Sequence, residues 1–165
     1  MFETLKCVSD NVNLDDYYEL YNNVRKNMKH PEWLGLIPID EAKKILLNGG
    51  KIWLYYKNND KVCSMFYIPS NEKTLRKHHI ETKATETGSL GPIMVNPKYI
   101  GNGFMNSMMK VFDEYNKEIG NKYIFTKVAR DNIYSIRNLE KNNYILCDTY
   151  ENERGLNNAY LKTLV

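Results

Sequence analysis

A chain of 165 residues suits one domain, and a domain of that size hides roughly 70% of its unfolded surface. Its 42% apolar and 26% charged residues exclude a disordered chain, and 23 Lys+Arg against 20 Asp+Glu leave a net charge of only +3 with no basic run, which argues against nucleic acid as a partner. No apolar run approaches a membrane span, and Met1-Phe2-Glu3-Thr4-Leu5-Lys6 lacks the apolar core of a signal peptide, so a cytoplasmic protein without a membrane partner is expected.

After a first strand, Leu14, Tyr17, Tyr18, Tyr21, Val24 and Met28 recur at helical spacing. They predict a helix over 13–29, opened by an Asn13/Asp16 cap and stopped by His30-Pro31. A second helix follows Pro38, with Ala42, Ile45 and Leu46 on one face, and ends at Asn48-Gly49-Gly50. Strand-like runs at 51–56 and 62–68 flank Asn58-Asn59-Asp60 and predict a hairpin. The polar segment 69–87 predicts a long loop with at most one helical turn. Beyond it come a strand at 90–95, a helix at 105–119 capped by Gly120, a strand at 123–129, a helix at 132–142, and a strand pair at 144–150 and 158–164. The order β-α-α-β-β-β-α-β-α-β-β predicts a single α/β domain over 1–165, a mixed sheet covered on both faces. Cys7, Cys63 and Cys147, odd in number and widely spaced, read as buried reduced thiols.

Backbone punctuation is uneven. Of nine Gly and five Pro, Gly88, Gly91, Gly101 and Gly103 with Pro92 and Pro97 fall in one short stretch. In Val95-Asn96-Pro97-Lys98-Tyr99-Ile100-Gly101-Asn102-Gly103-Phe104-Met105, a glycine-bearing turn joins a strand to an amphipathic helix. Such a turn aims successive backbone N–H groups at one point beside the positive end of the helix dipole, which suits a phosphate. Glycine is needed because a side chain would forbid the dihedrals or block the anion. An ordinary strand-to-helix turn uses the same glycines. A P-loop would need a Gly-Lys-Ser/Thr ending, which is absent, and a dinucleotide fingerprint normally opens at the first strand, whereas this turn follows the fourth.

Val95-x-Pro97-x-Tyr99-x-Gly101-x-Gly103, with the later Asp131-Asn132-x-x-Ser135 and Glu140-Lys141-Asn142-Asn143-Tyr144, resembles the two signature segments of the GNAT family of N-acetyltransferases. The order of elements is similar to that family's fold over essentially the whole chain. The resemblance implies acetyl-CoA as acyl donor, its pyrophosphate on the backbone N–H groups of Gly101, Asn102, Gly103, Phe104, Met105 and Asn106. Its pantetheine arm would add as a strand along Ile93, Met94 and Val95, with the thioester where the fourth and fifth strands splay, a break that Gly91-Pro92 favours. Asn132 and Ser135 match positions that contact the cofactor, and they equally make a good helix start.

The sequence departs from the family pattern in three places. Ile100 stands where Arg or Gln is usual, and Met105 replaces a glycine or alanine, which backbone N–H binding tolerates if the side chain points into the core. Leu139 occupies the position of a tyrosine that protonates the departing thiolate. Tyr144, Tyr134 or Tyr150 are the candidate replacements, each also readable as a packed aromatic. For the base, His79 and Glu86, with His78 and Glu81, lie on the loop before the fourth strand, which also reads as a solvated charged loop. Adjacent histidines do not easily share one ion and no further His or Cys stands at ligand spacing, so no metal is expected.

Glu32 and Trp33 fall where the family contacts its acceptor, and they suit a cationic amine with an apolar body. Trp33 also reads as a core plug between the first two helices. The implied function is transfer of an acyl group from acetyl-CoA to a small-molecule amine or a protein amino group; the alternative is a non-catalytic acyl-CoA sensor of the same fold. Homodimers are common in the family.

Overall fold

The computed structural model describes residues 1–165. In chain order its elements are β1 Lys6–Val8, α1 Leu14–Lys26, α2 Ile39–Leu47, β2 Lys51–Lys57, β3 Asp60–Pro69, α3 Glu72–Lys77, β4 Thr87–Val95, α4 Phe104–Glu118, β5 Tyr123–Ala129, α5 Ile133–Lys141, β6 Ile145–Asn152 and β7 Gly155–Thr163. The strands make a seven-stranded mixed sheet in the order β1-β2-β3-β4-β5-β7-β6, the α/β architecture expected. The residues group into two compact units, Met1–Tyr67 with Gly91–Lys110, and Ile68–Leu90 with Val111–Val165.

In the first unit, α1 opens as the sequence predicts, with Asn13 Oδ1 accepting from the Asp16 N–H at 3.2 Å and Asp15 and Asp16 in the first turn. It stops at Lys26 with Asn27 as its C-cap, short of the expected 29, and Pro31–Trp33 form a separate 3-10 turn. Tyr17, Leu20 and Tyr21 are its buried face, and Tyr17 meets Phe66 of β3 edge-on at 6.0 Å. β2 and β3 pair antiparallel from Lys51↔Tyr67 to Lys57↔Asp60 around Asn58, whose φ of 55° opens the turn. Their middles are buried at consecutive positions rather than alternate ones, as befits strands enclosed on both faces. Ser64 is tolerated there because its hydroxyl donates to the Trp53 carbonyl at 2.7 Å. Cys63 is buried, but Cys7 is exposed on β1 and Cys147 is only half-buried, contrary to expectation; burial pushes the Cys63 thiol up to about 12, which keeps it inert.

In the second unit, the segment expected as a loop holds α3, with Asn71 Oδ1 accepting from the Thr74 N–H at 2.8 Å, and a 3-10 turn at Ala84–Glu86. The element order therefore carries one helix more than predicted. Leu75 and Ile80, the apolar residues of that polar stretch, are buried with Phe125 and Ala159. β5 pairs parallel with β4 and antiparallel with β7, and β6 and β7 form a hairpin whose register slips between Leu146 and Asp148. Gly120, at φ 90°, ends α4 in the left-handed region.

Candidate cofactor and acyl-transfer site

The glycine turn belongs to the first unit. Asn96 leaves β4 with its N–H donating to the Val62 carbonyl at 2.8 Å, and its side-chain amide donates to the Lys61 carbonyl at 2.8 Å. Pro97–Tyr99 form a 3-10 turn capped by Asn96 Oδ1, which accepts from the Lys98 N–H at 3.0 Å. The Tyr99 hydroxyl and Lys98 Nζ both donate to Asp60 Oδ2, at 2.6 and 2.9 Å. Those bonds, the Tyr99 hydroxyl first, hold the Asp60 carboxyl below the usual carboxylate range. The approach to the turn is thus braced against the β2–β3 hairpin.

Gly101 and Gly103 have φ of 91° and 73°, and a Cβ at either would meet nothing within 4 Å. Dihedral freedom, not crowding within the chain, requires glycine here. Asn102 Nδ2 donates to the Tyr99 carbonyl at 2.8 Å, and the Gly103 carbonyl accepts the first bond of the 15-residue α4 from Ser107. The N–H groups of Gly101, Asn102, Gly103 and Phe104 donate to no group of the chain, at the end of α4 where the dipole is positive. Phe104, not Met105, drives into the core: it is 2% exposed and 6.1 Å from Phe2, whereas Met105 is half-buried. Ile100 is exposed, and its apolar side chain supplies no donor where the resemblance implies Arg or Gln. On β4, Met94 is buried and Ile93 and Val95 are half-buried.

Glu32 and Trp33 lie in the first unit's 3-10 turn. His30 Nδ1 is 3.3 Å from Glu32 Oε1 and its ring stacks on Trp33 at 4.4 Å. Trp33 is half-buried, so it is not a sealed core plug.

The second unit contains the point where β5 leaves β4. Their parallel pairing runs from Thr87↔Tyr123 to Leu90↔Thr126 and ends there, directly before Gly91 and Pro92, the latter without an N–H to continue a ladder. Thr126 Oγ1 donates to the Leu90 carbonyl at 3.0 Å, so a side chain replaces the next ladder bond. Lys127, Val128 and Ala129 continue with β7 alone, opposite Ala159, Asn158 and Asn157.

The proton-handling candidates separate in this unit. Glu86 precedes β4, about 13 Å from Leu90 at about 3.3 Å per strand residue, and its Oε1 pairs with Lys122 Nζ at 3.2 Å. Tyr144 is 4% exposed, with Lys162 Nζ 5.7 Å from its ring centroid, and Lys162 in turn pairs with Asp113 at 2.5 Å. Burial first, then the Asp113 charge, pushes the Tyr144 phenol well above its ordinary value. Tyr134 is exposed on α5, and Leu139 is buried. His79, with φ 62°, is exposed and stands 4.0 Å from Asp148 Oδ1. The buried histidine is its neighbour: His78 Nδ1 lies 2.9 Å from Asp148 Oδ2, and the ring stacks on Phe125 at 5.7 Å and meets Tyr150 at 4.4 Å. Asn132 caps α5, its Oδ1 accepting from the Ser135 N–H at 3.2 Å.

Lys127 of β5 carries no motif that marks it in the sequence. Enclosure of its charge, then the neighbouring Arg154 and Lys77, push its pKa below the ordinary lysine value. Lys127 is nonetheless exposed on β5, so the enclosure is partial, and it stands one residue past the end of the β4–β5 pairing.

No family model matches the sequence, and no curated protein matches it. Solved structures share its fold. A GNAT family acetyltransferase from Elizabethkingia anophelis with acetyl-CoA bound superposes with a TM-score of 0.71 at 12% identity, over 98% of this chain and 99% of that one. A Bacillus subtilis acetyltransferase in complex with CoA gives 0.70 at 11% identity, over 98% and 100%. A probable acetyltransferase from Staphylococcus epidermidis gives 0.73 at 17% identity, over 98% and 99%. The chain therefore has the fold of the GNAT acetyltransferases.

Proposed function

We propose that the protein is an acetyl-CoA-dependent N-acyltransferase acting on a small-molecule amine or a protein amino group. The observation that supports this best is the run of uncommitted N–H groups from Gly101 to Phe104 at the positive end of α4, in a fold whose solved examples include one with acetyl-CoA and one with CoA. The pyrophosphate takes these donors, with those of Met105 and Asn106 following, and the pantetheine arm pairs with Ile93, Met94 and Val95. The Nδ2 of Asn132 and the hydroxyl of Ser135, left over from the helix cap, complete the cofactor contacts.

The thioester lies where β5 leaves β4. An attacking amine must lose a proton, and we assign that step to His79, an exposed imidazole with Nε2 4.0 Å from Asp148 Oδ1. Glu86 and Tyr144 are already engaged by Lys122 and by the Lys162–Asp113 pair. The thiolate leaves to water, because a thiol with a pKa near about 8.5 is a fair leaving group without an acid. Glu32 and Trp33 receive the amine end of the acceptor. No helix is long and apolar enough to cross a membrane, and the reading assigns the protein to the cytoplasm, where free thiols such as Cys7 stay reduced.

Thiol release from acetyl-CoA across amino acids, polyamines, aminoglycosides and peptide N-termini tests the reading. Release above the buffer rate with an amine supports it. Silence across the panel, with acetyl-CoA still raising the unfolding midpoint, would leave the sensor reading, which buried Leu139 favours.

A further inference from the structure

Lys77 ends α3, Lys127 lies on β5 and Arg154 sits in the β6–β7 turn, and none of them has a carboxylate within ion-pair distance. The sheet register sets the face of Lys127, and Arg154 and Lys77 are the cations whose charge acts on it. Lys127 shares a row with Ala159 of β7 and Asp148 of β6, a row about 10 Å wide at about 4.8 Å per strand. Lys77 immediately precedes His78, whose ring stacks on Phe125, the same-face neighbour of Lys127. Arg154 is presented by a fixed turn: Asn152 Oδ1 accepts from the Arg154 N–H at 2.9 Å and from Asn157 Nδ2 at 3.0 Å, and the Leu156 carbonyl accepts from the Arg130 N–H at 3.0 Å.

The acids of this region are committed elsewhere or stand apart. Asp148 is taken by His78, with His79 at 4.0 Å. Glu72 and Glu81 both pair with Arg76. Glu153, beside Arg154, is exposed and makes no ion pair. Three cations left together without a counter-charge repel one another in the free protein, and an anion bound among them offsets that cost. Lys127 is also the first residue of β5 past its last pairing with β4. The cluster therefore begins at the fork to which the acyl-transfer reading assigns the thioester.

Resting on that reading, we infer that the acceptor is an amine that also carries an anionic group, a carboxylate or a phosphate, gripped by Lys127, Arg154 and Lys77. Arg154 supplies the planar two-pronged donor that such oxygens match, and the lysines supply point charges.

The test is acyl transfer from acetyl-CoA to matched amines: an amino acid against its carboxamide, phosphoethanolamine against ethanolamine, and a polyamine. The expected kcat/KM for an anionic member exceeds its neutral partner by about tenfold or more, the scale of one charge-assisted hydrogen bond, and the two pairs tell carboxylate from phosphate. Lys127→Gln and Arg154→Gln each lower that ratio several-fold, with the KM for acetyl-CoA unmoved, and Arg154→Lys restores part of it. Equal or faster transfer to the neutral or cationic amines, or a ratio indifferent to both substitutions, would overturn the inference. If nothing turns over, titration with inorganic phosphate and with acetate reads the cluster directly. Millimolar binding lost in both variants supports it, and no binding overturns it. Absence of any acetyl-CoA effect on wild-type unfolding counts against the transfer reading instead, and leaves that titration to judge the cluster.

Discussion

The glycine turn of the first unit and the Lys77, Lys127 and Arg154 cluster of the second are both suited to negative charge, by opposite means. The turn offers backbone dipoles: its donors carry no formal charge, repel nothing in the free protein, and need only positive φ at Gly101 and Gly103. The cluster offers full charges that strain the free state until an anion arrives. Such a division keeps the net charge at +3 while leaving one strongly polar place where an acceptor can be chosen. It also separates the two tasks experimentally, since the turn answers to backbone conformation and the cluster to side-chain charge.

The largest effect is expected at the turn. Gly103→Val has room for its side chain but holds a β-branched residue at positive φ, costing roughly 1–3 kcal/mol. The protein stays folded with a midpoint lowered by several degrees, and acetyl-CoA no longer raises it. Retained stabilisation by acetyl-CoA would move the phosphate site elsewhere.

Asp60→Asn removes the brace on Lys98 and Tyr99, and acetyl-CoA affinity, read by calorimetry, falls several-fold. Because the folded Asp60 pKa is lowered, its contribution is complete above the unfolded value of about 3.9 and is lost as pH falls through the folded value. The variant should lack that acid dependence.

At α5, Asn132→Ala costs about 1 kcal/mol of stability, some 2–4 °C in midpoint, and also weakens acetyl-CoA a few-fold. Asn132→Asp keeps the cap and loses only the Nδ2 contact, so the midpoint holds while affinity drops. Equal affinity in both variants would reduce Asn132 to a cap.

The smallest effect separates the cluster from the turn by stability alone. Partial enclosure first, then Arg154 and Lys77, lower the folded pKa of the exposed Lys127, so, screened by solvent, stability rises only slightly as pH climbs from that value towards the ordinary lysine value of about 10.4. Lys127→Gln raises the midpoint at neutral pH and abolishes that alkaline gain, while Gly103→Val does neither.

What the sequence disclosed follows the same division. The turn is local: Pro97 to Gly103 is contiguous, and its geometry follows from residue types known to adopt it. β5 was legible to the residue at Tyr123–Ala129, because β-branched and aromatic residues fill a short bounded run. α3 was not, since its six residues are mostly polar and the burial of Leu75 and Ile80 against Phe125 is tertiary. The exchange of Phe104 for Met105 in the core turns on a one-residue difference in where α4 begins, the least legible feature of any helix. Between adjacent histidines, nothing local tells that His78 is the one enclosed against Asp148. The cluster draws on three distant stretches and exists only once β5 parts from β4.

Thermal unfolding of the wild-type chain with and without acetyl-CoA tests the role of the turn most directly. At a hundredfold excess over the dissociation constant, binding stabilises by about 2.7 kcal/mol, so the midpoint should rise by roughly 5–10 °C. An unchanged midpoint at millimolar acetyl-CoA would contradict it.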